Sequence, residues 1–131
     1  MSHDEATVRE LLELSQRLLE SIASADWETY RLLCDESLSA FEPESSGHLV
    51  EGLDFHRFYF GLGAGQGPVN TTIVSPHVRV MGDVAVVSYV RLTQRCNAEG
   101  NPLVSRCEET RIWQRSEGQW RHVHFHRSVT R

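Results

Sequence analysis

Residues 69–127 are written almost entirely in two-residue alternation. VNTTIVSPHVRVMG, DVAVVSYVRLTQRC, PLVSRCEETRIWQR and GQWRHVHFHR are rich in β-branched and aromatic residues, and turn signals at Gly82-Asp83, 97–101 and 116–118 separate them. Four long strands joined by connections this short pair as consecutive antiparallel hairpins, because a parallel pair needs a crossover of a dozen or more residues. The preceding half of the chain reads as helices. Helices first and a long meander after predict an α+β fold, with a strongly curved antiparallel sheet wrapped on a long N-terminal helix as a cone with an open mouth.

Val8, Leu11, Leu12, Leu18, Leu19 and Ile22 recur at helical spacing, with Ser15 as the small member of the stripe, and Ser2 with Glu5 has the pattern of a capping box. This predicts an amphipathic helix over residues 4–23 whose charged face is solvated. Asp26 is placed to cap a second helix running to about Cys34, with Trp27, Tyr30, Leu32 and Leu33 as the residues to bury. Leu38, Ala40 and Phe41 predict a short strand ended by Pro43, and residues 48–50 another. In EGLDFHRFYF, Leu53, Phe55, Phe58, Tyr59 and Leu62 suit the apolar side of a third helix. The glycine-rich run GLGAGQGP follows a helix, precedes a strand and has Gln66 where a dinucleotide fingerprint needs its third glycine, so it reads as a flexible connection.

With 131 residues, 40% hydrophobic and 24% charged, the chain suits a single domain spanning 1–131. A formal net charge of -5 argues against sequence-independent nucleic-acid binding, which needs a basic face to displace counterions. Cys34, Cys96 and Cys107 are odd in number and lack CxxC spacing, which fits a reducing, cytoplasmic compartment rather than a disulfide framework or zinc knuckle. No apolar run approaches the roughly 20 residues of a membrane-spanning helix, and the N-terminus lacks the shape of a signal peptide. No cofactor motif and no nucleophile elbow is present.

The arginines carry the functional argument. If the 116–118 turn is a three-residue hairpin, Arg115 pairs with Gln119 and odd positions of both strands face one side; a five-residue loop at 97–101 adds the odd positions of the strand before. Arg91, Arg111 and Arg127 then share a face with Val87, Tyr89, Trp113, Val123 and Phe125. Three guanidiniums in one concavity make an anion site, since each offers fork-shaped donors to a carboxylate or phosphate. The plainer alternative pairs each with a neighbouring acid such as Glu109, or leaves it at an exposed strand end. His122, His124 and His126 fall on the opposite, even face, where two histidines two residues apart could reach one metal or simply line a wet surface. His56 is left unplaced on the third helix. A second functional reading is proton transfer with Glu109 or Asp54 as base and Tyr89 as oxyanion donor, although arginines in the same cavity would make a carboxylate a weaker base.

Together AFEPES, GHLVEGLDFHRFYF, TTIVSPHVRVMGD, YVRLTQ, EETRIWQR and GQWRHVHFHRS resemble the association, or hub, domain of calcium/calmodulin-dependent protein kinase II, from the first helix to Ser128. The resemblance implies a nuclear transport factor 2-like cone and a role in assembly: two stacked homo-oligomeric rings, dodecamers, tetradecamers or larger, that cluster kinase domains. It also implies a pocket for small carboxylates or an acidic peptide, lined by Arg91, Arg111 and Arg127 with His56 near its mouth, and no catalytic residue, metal or cofactor. The chain carries no Gly-rich ATP loop, HRD or DFG, so phosphate transfer would belong to a partner kinase. The loop after FYF departs from the animal pattern in being short, glycine-rich and without tryptophan. An excised domain and a free-standing hub both fit, and the alternative from another class is a small enzyme of the ketosteroid isomerase type.

Overall fold

The computed structural model describes residues 3–131, and the Ser2 side of the expected capping box lies outside them. Helix α1 (His3–Ala23) is followed by α2 (Trp27–Leu33), strand β1 (Cys34–Phe41), a 3-10 turn (Pro43–Ser45), the short β2 (Val50–Glu51) and α3 (Asp54–Gly61). Four long strands complete the chain: β3 (Val69–Met81), β4 (Val84–Cys96), β5 (Pro102–Ser116) and β6 (Gln119–Arg127). With β1 and β2 they form one open six-stranded sheet in the order β2-β1-β6-β5-β4-β3. All pairings are antiparallel except β1 with β6, which run parallel with Ala40 opposite Phe125. The intervening helices and meander supply the crossover that a parallel pair requires.

Helix α1 buries the expected stripe. Leu11, Ser15, Leu18 and Leu19 are fully buried, and the leucines share one core with Ala85, Val87 and Trp113 of the sheet. Odd positions of β4 and β5, among them Val87, Tyr89, Glu109, Arg111 and Trp113, are the buried ones, as strand alternation requires. Asp26 caps α2 by accepting a hydrogen bond from the Thr29 backbone N–H at 3.2 Å. Two expectations of burial fail. Leu32 is 64% exposed on α2, and on α3 Phe58 and Tyr59 face solvent while His56 is the buried residue, with Leu62 exposed just beyond. Apolar side chains left open on a helix surface and those that fill a core look alike in sequence.

The last hairpin departs from the expected register in two ways that cancel. Its turn has two residues, Glu117 and Gly118, both at positive φ (53° and 78°), so Ser116 pairs with Gln119 and Arg115 with Trp120. That is the backbone of a tight hairpin matched to strand twist. Farther along, Trp113 pairs with His122 and Ile112 with His124, leaving Val123 as the extra residue of a β-bulge. The bulge restores parity: Phe125 is buried and Arg127 half-buried on the cavity side, as expected, but Val123 does not join them and His122 turns inward to complete burial. The expected row of three histidines on one outer face therefore does not exist.

A buried arginine cluster at the mouth of the sheet

Arg91 at the open half of β4, Arg111 in mid-β5 and Arg127 at the end of β6 converge on one cavity of about 250 Å³. Helix α3 places His56 on its rim, and Tyr30, Phe60 and Phe125 supply apolar walls. The four residues singled out from the sequence thus line the same space. Glu42 and Glu44, flanking Pro43 at the 3-10 turn, line it too. Sequence reasoning missed them; their only signal was two carboxylates placed around a proline directly after a core strand.

The guanidiniums are not free. Glu109, 2% exposed, stands behind the cavity and accepts from Tyr89 Oη at 2.6 Å, Arg91 Nη1 at 3.1 Å and Arg111 Nη2 at 3.2 Å. Arg111 Nε donates in turn to Tyr89 Oη at 2.8 Å, and its guanidinium carbon lies 4.5 Å from the centre of the Phe125 ring. Arg127 is paired with Glu44 and lies 4.0 Å from Glu109. Burial alone would raise the Glu109 carboxyl, but Arg111 and Arg91 outweigh it and hold it at about 2. Burial would likewise discharge Arg111, and Glu109 reverses that, so the pair stays ionic. A carboxylate held this far down is a poor general base at neutral pH. Asp54, the other candidate base, is exposed and does not line the cavity.

His122 extends the network. Its Nε2 lies 3.3 Å from Arg111 Nη1 and its Nδ1 3.4 Å from the Cys34 thiol. Complete burial, reinforced by the neighbouring Arg111, keeps the ring neutral by pushing its pKa well below the ordinary value. Burial also pushes the Cys34 thiol up to about 12. His56 differs from His122 in that neither ring nitrogen makes a hydrogen bond. Its Nε2 is 3.2 Å from Glu42 Oε1 but not aligned for a hydrogen bond, so both ring nitrogens are buried and unpartnered. Arg91 Nε is also unpartnered. Among the described residues no group of three or more His, Cys, Asp or Glu side chains is placed to hold a metal ion, and no helix is long and apolar enough to cross a membrane.

An N-terminal helix covered by an open six-stranded sheet, with a polar cavity at its mouth, defines the nuclear transport factor 2-like class. A protein of that superfamily from Salmonella enterica subsp. enterica serovar Typhimurium str. LT2 superposes with a TM-score of 0.75 over 95% of this chain and 92% of its own at 23% identity, a likeness of fold alone. Residues 7–131 match the calcium/calmodulin dependent protein kinase II association domain, and the chain belongs to that family. It is 47% identical over 126 residues to calcium/calmodulin-dependent protein kinase type II subunit delta of Oryctolagus cuniculus, covering 94% of this chain but only 24% of the relative. The association domain of C. elegans CaMKII superposes with a TM-score of 0.91 at 42% identity, covering 95% of this chain and 97% of that one. The Chlamydamonas reinhardtii CamKII hub homology domain gives 0.89 at 47% identity, covering 95% and 99%. Domains of this family serve oligomerisation and do not catalyse, the kinase activity of such proteins lying in a separate domain. The isomerase alternative is thereby set aside.

Proposed function

We propose that copies of this chain assemble into two stacked rings, dodecameric, tetradecameric or larger, and that the arginine-lined cavity takes a carboxylate from a small molecule or an acidic peptide. Where kinase domains are joined to such a ring, or enter through subunits carrying the same domain, they are held at high effective concentration for mutual phosphorylation. The observation that carries the assembly is uncovered apolar surface in two places. Phe58 and Leu62, at α3 and its end, are 64% and 69% exposed, and Val104 of β5 and Val129 of the C-terminal segment are 63% and 69% exposed. Side chains this large and this open are surface that a partner removes from water.

The cavity supports ligand exchange at Arg127. Arg91 and Arg111 are committed to Glu109, whose side chain is wholly buried, whereas the partner of Arg127, Glu44, retains 37% exposure on a surface turn. An incoming carboxylate can displace Glu44, pair with Arg127 and take a hydrogen bond from His56, whose ring nitrogens make none, in competition with the Glu42 carboxylate 3.2 Å away. Isothermal titration of short-chain carboxylates into the parent and into Arg127→Ala tests this. Loss of one charge-assisted pair weakens binding about 10- to 100-fold. Unchanged binding in a variant that remains folded by circular dichroism would remove Arg127 from the site.

A further inference from the structure

A second pocket lies on the other side of Arg91. The glycine-rich connection, residues 61–68, passes over the inner face of β3 and β4 and encloses a space of about 310 Å³ that includes Gln66, Thr71, Arg91, Thr93 and Arg95 in its lining. Residues 91, 93 and 95 share one side of β4 by strand alternation, and Thr71 is the cross-strand partner of Thr93. No carboxylate lines this pocket. That contrasts with the arginine cavity, where Glu42 and Glu44 stand in the wall and Glu109 behind it. On the helical side Glu20 lines the adjoining groove and accepts a hydrogen bond from Gln16 at 3.2 Å.

Two buried donors here are unused. Thr71, 5% exposed, has no partner for its Oγ1, and neither does Arg91 Nε. Leaving buried polar atoms unmade is costly, so a polar site that retains them is built for something to complete it. Arg95 adds a guanidinium without an ion-pair partner among the described residues. The loop contributes few side chains to obstruct entry: Gly63 and Gly67 sit at positive φ, 82° each, and a Cβ on Gly63 or Gly65 would meet nothing within 4 Å.

We propose that this pocket is a second anion site, separate from the carboxylate cavity, and that it takes a phosphoryl group. The Arg95 guanidinium, the unused Nε of Arg91, two hydroxyls and an amide surround the space from strand and loop, a three-dimensional donor set that suits a tetrahedral oxyanion better than a planar carboxylate. With no acid in its wall, the pocket sets no carboxylate of its own lining against an incoming dianion. The group could arrive as free phosphate or on a phosphorylated side chain, and the chemistry at the pocket is the same.

The test is calorimetric titration of the full chain with inorganic phosphate, with an end-blocked phosphoserine peptide and with acetate. Arg95→Gln removes a surface guanidinium that holds no structure together, and Thr71→Val removes the unpaired hydroxyl while keeping shape. Phosphoryl binding that falls about tenfold or more in Arg95→Gln, falls in Thr71→Val and persists in Arg127→Ala supports the site. A tighter peptide than phosphate assigns the group to a modified side chain, and the reverse assigns it to free phosphate. No phosphoryl binding by the parent, binding lost in Arg127→Ala but kept in Arg95→Gln, or acetate bound equally well at the same residues each overturns the proposal.

Discussion

Replacing Glu109 with glutamine keeps the shape of the side chain and removes the one charge on which the interior of this domain depends. Arg111 is 1% exposed and would lose its one carboxylate partner among the described residues; Arg91 would lose its partner as well. The carboxyl is held at about 2 in the fold against an ordinary 4.5, which corresponds to about 3 kcal/mol favouring the folded state at neutral pH. Removing one member of a buried pair gives the same scale, about 3 to 5 kcal/mol. The sign follows from the depressed value. The contribution is complete above the unfolded carboxyl's pKa and is lost as pH falls from about 4.5 toward 2. Urea denaturation at fixed protein concentration should therefore show Glu109→Gln less stable by about 3 kcal/mol at pH 7, with the gap narrowing in acid as the parent loses what the variant never had. A variant within about 0.5 kcal/mol of the parent at pH 7, the scale of an ordinary surface change, would refute the assignment of Glu109 as internal counter-ion.

Other consequences are open to simpler assays. His122 is neutral in the fold because burial and Arg111 depress its pKa from 6.5, so it supports stability above that pH and withdraws support as the pH falls; His122→Gln should flatten the loss of stability below about pH 6.5. Thiol labelling of the native protein at pH 8 should show one fast thiol per subunit, Cys96, with Cys107 slow and Cys34, pushed up to about 12 by burial, reacting only on unfolding. Rapid labelling of two thiols would contradict the burial of the second.

The convergence of Arg91, Arg111 and Arg127 was legible because strand parity is rigid: once hairpin lengths are read, side follows. The 97–101 loop was read correctly, with Cys96 opposite Pro102. The last turn was misread by one residue, and the bulge at Val123 offset the error beyond it. A signal for that bulge was present. Buried Trp120 and Phe125 differ in parity, which no regular strand allows, and the shift is what brings His122 inward. The ionic state of the site was less legible. That Glu109 belongs behind the arginines depends on cross-strand register, and the approach of Glu44 to Arg127 depends on a 3-10 turn far away in sequence. Exposure of Phe58 and Leu62 was invisible for another reason: the pattern of an apolar face does not say whether its cover is the same chain or another copy.

The central claim is that this domain exists to assemble. Native mass spectrometry over a hundredfold range of protein concentration tests it directly. The account predicts one dominant species of many subunits, an even number as two equal rings require, whose mass persists on dilution. A monomer or dimer at every concentration would contradict it.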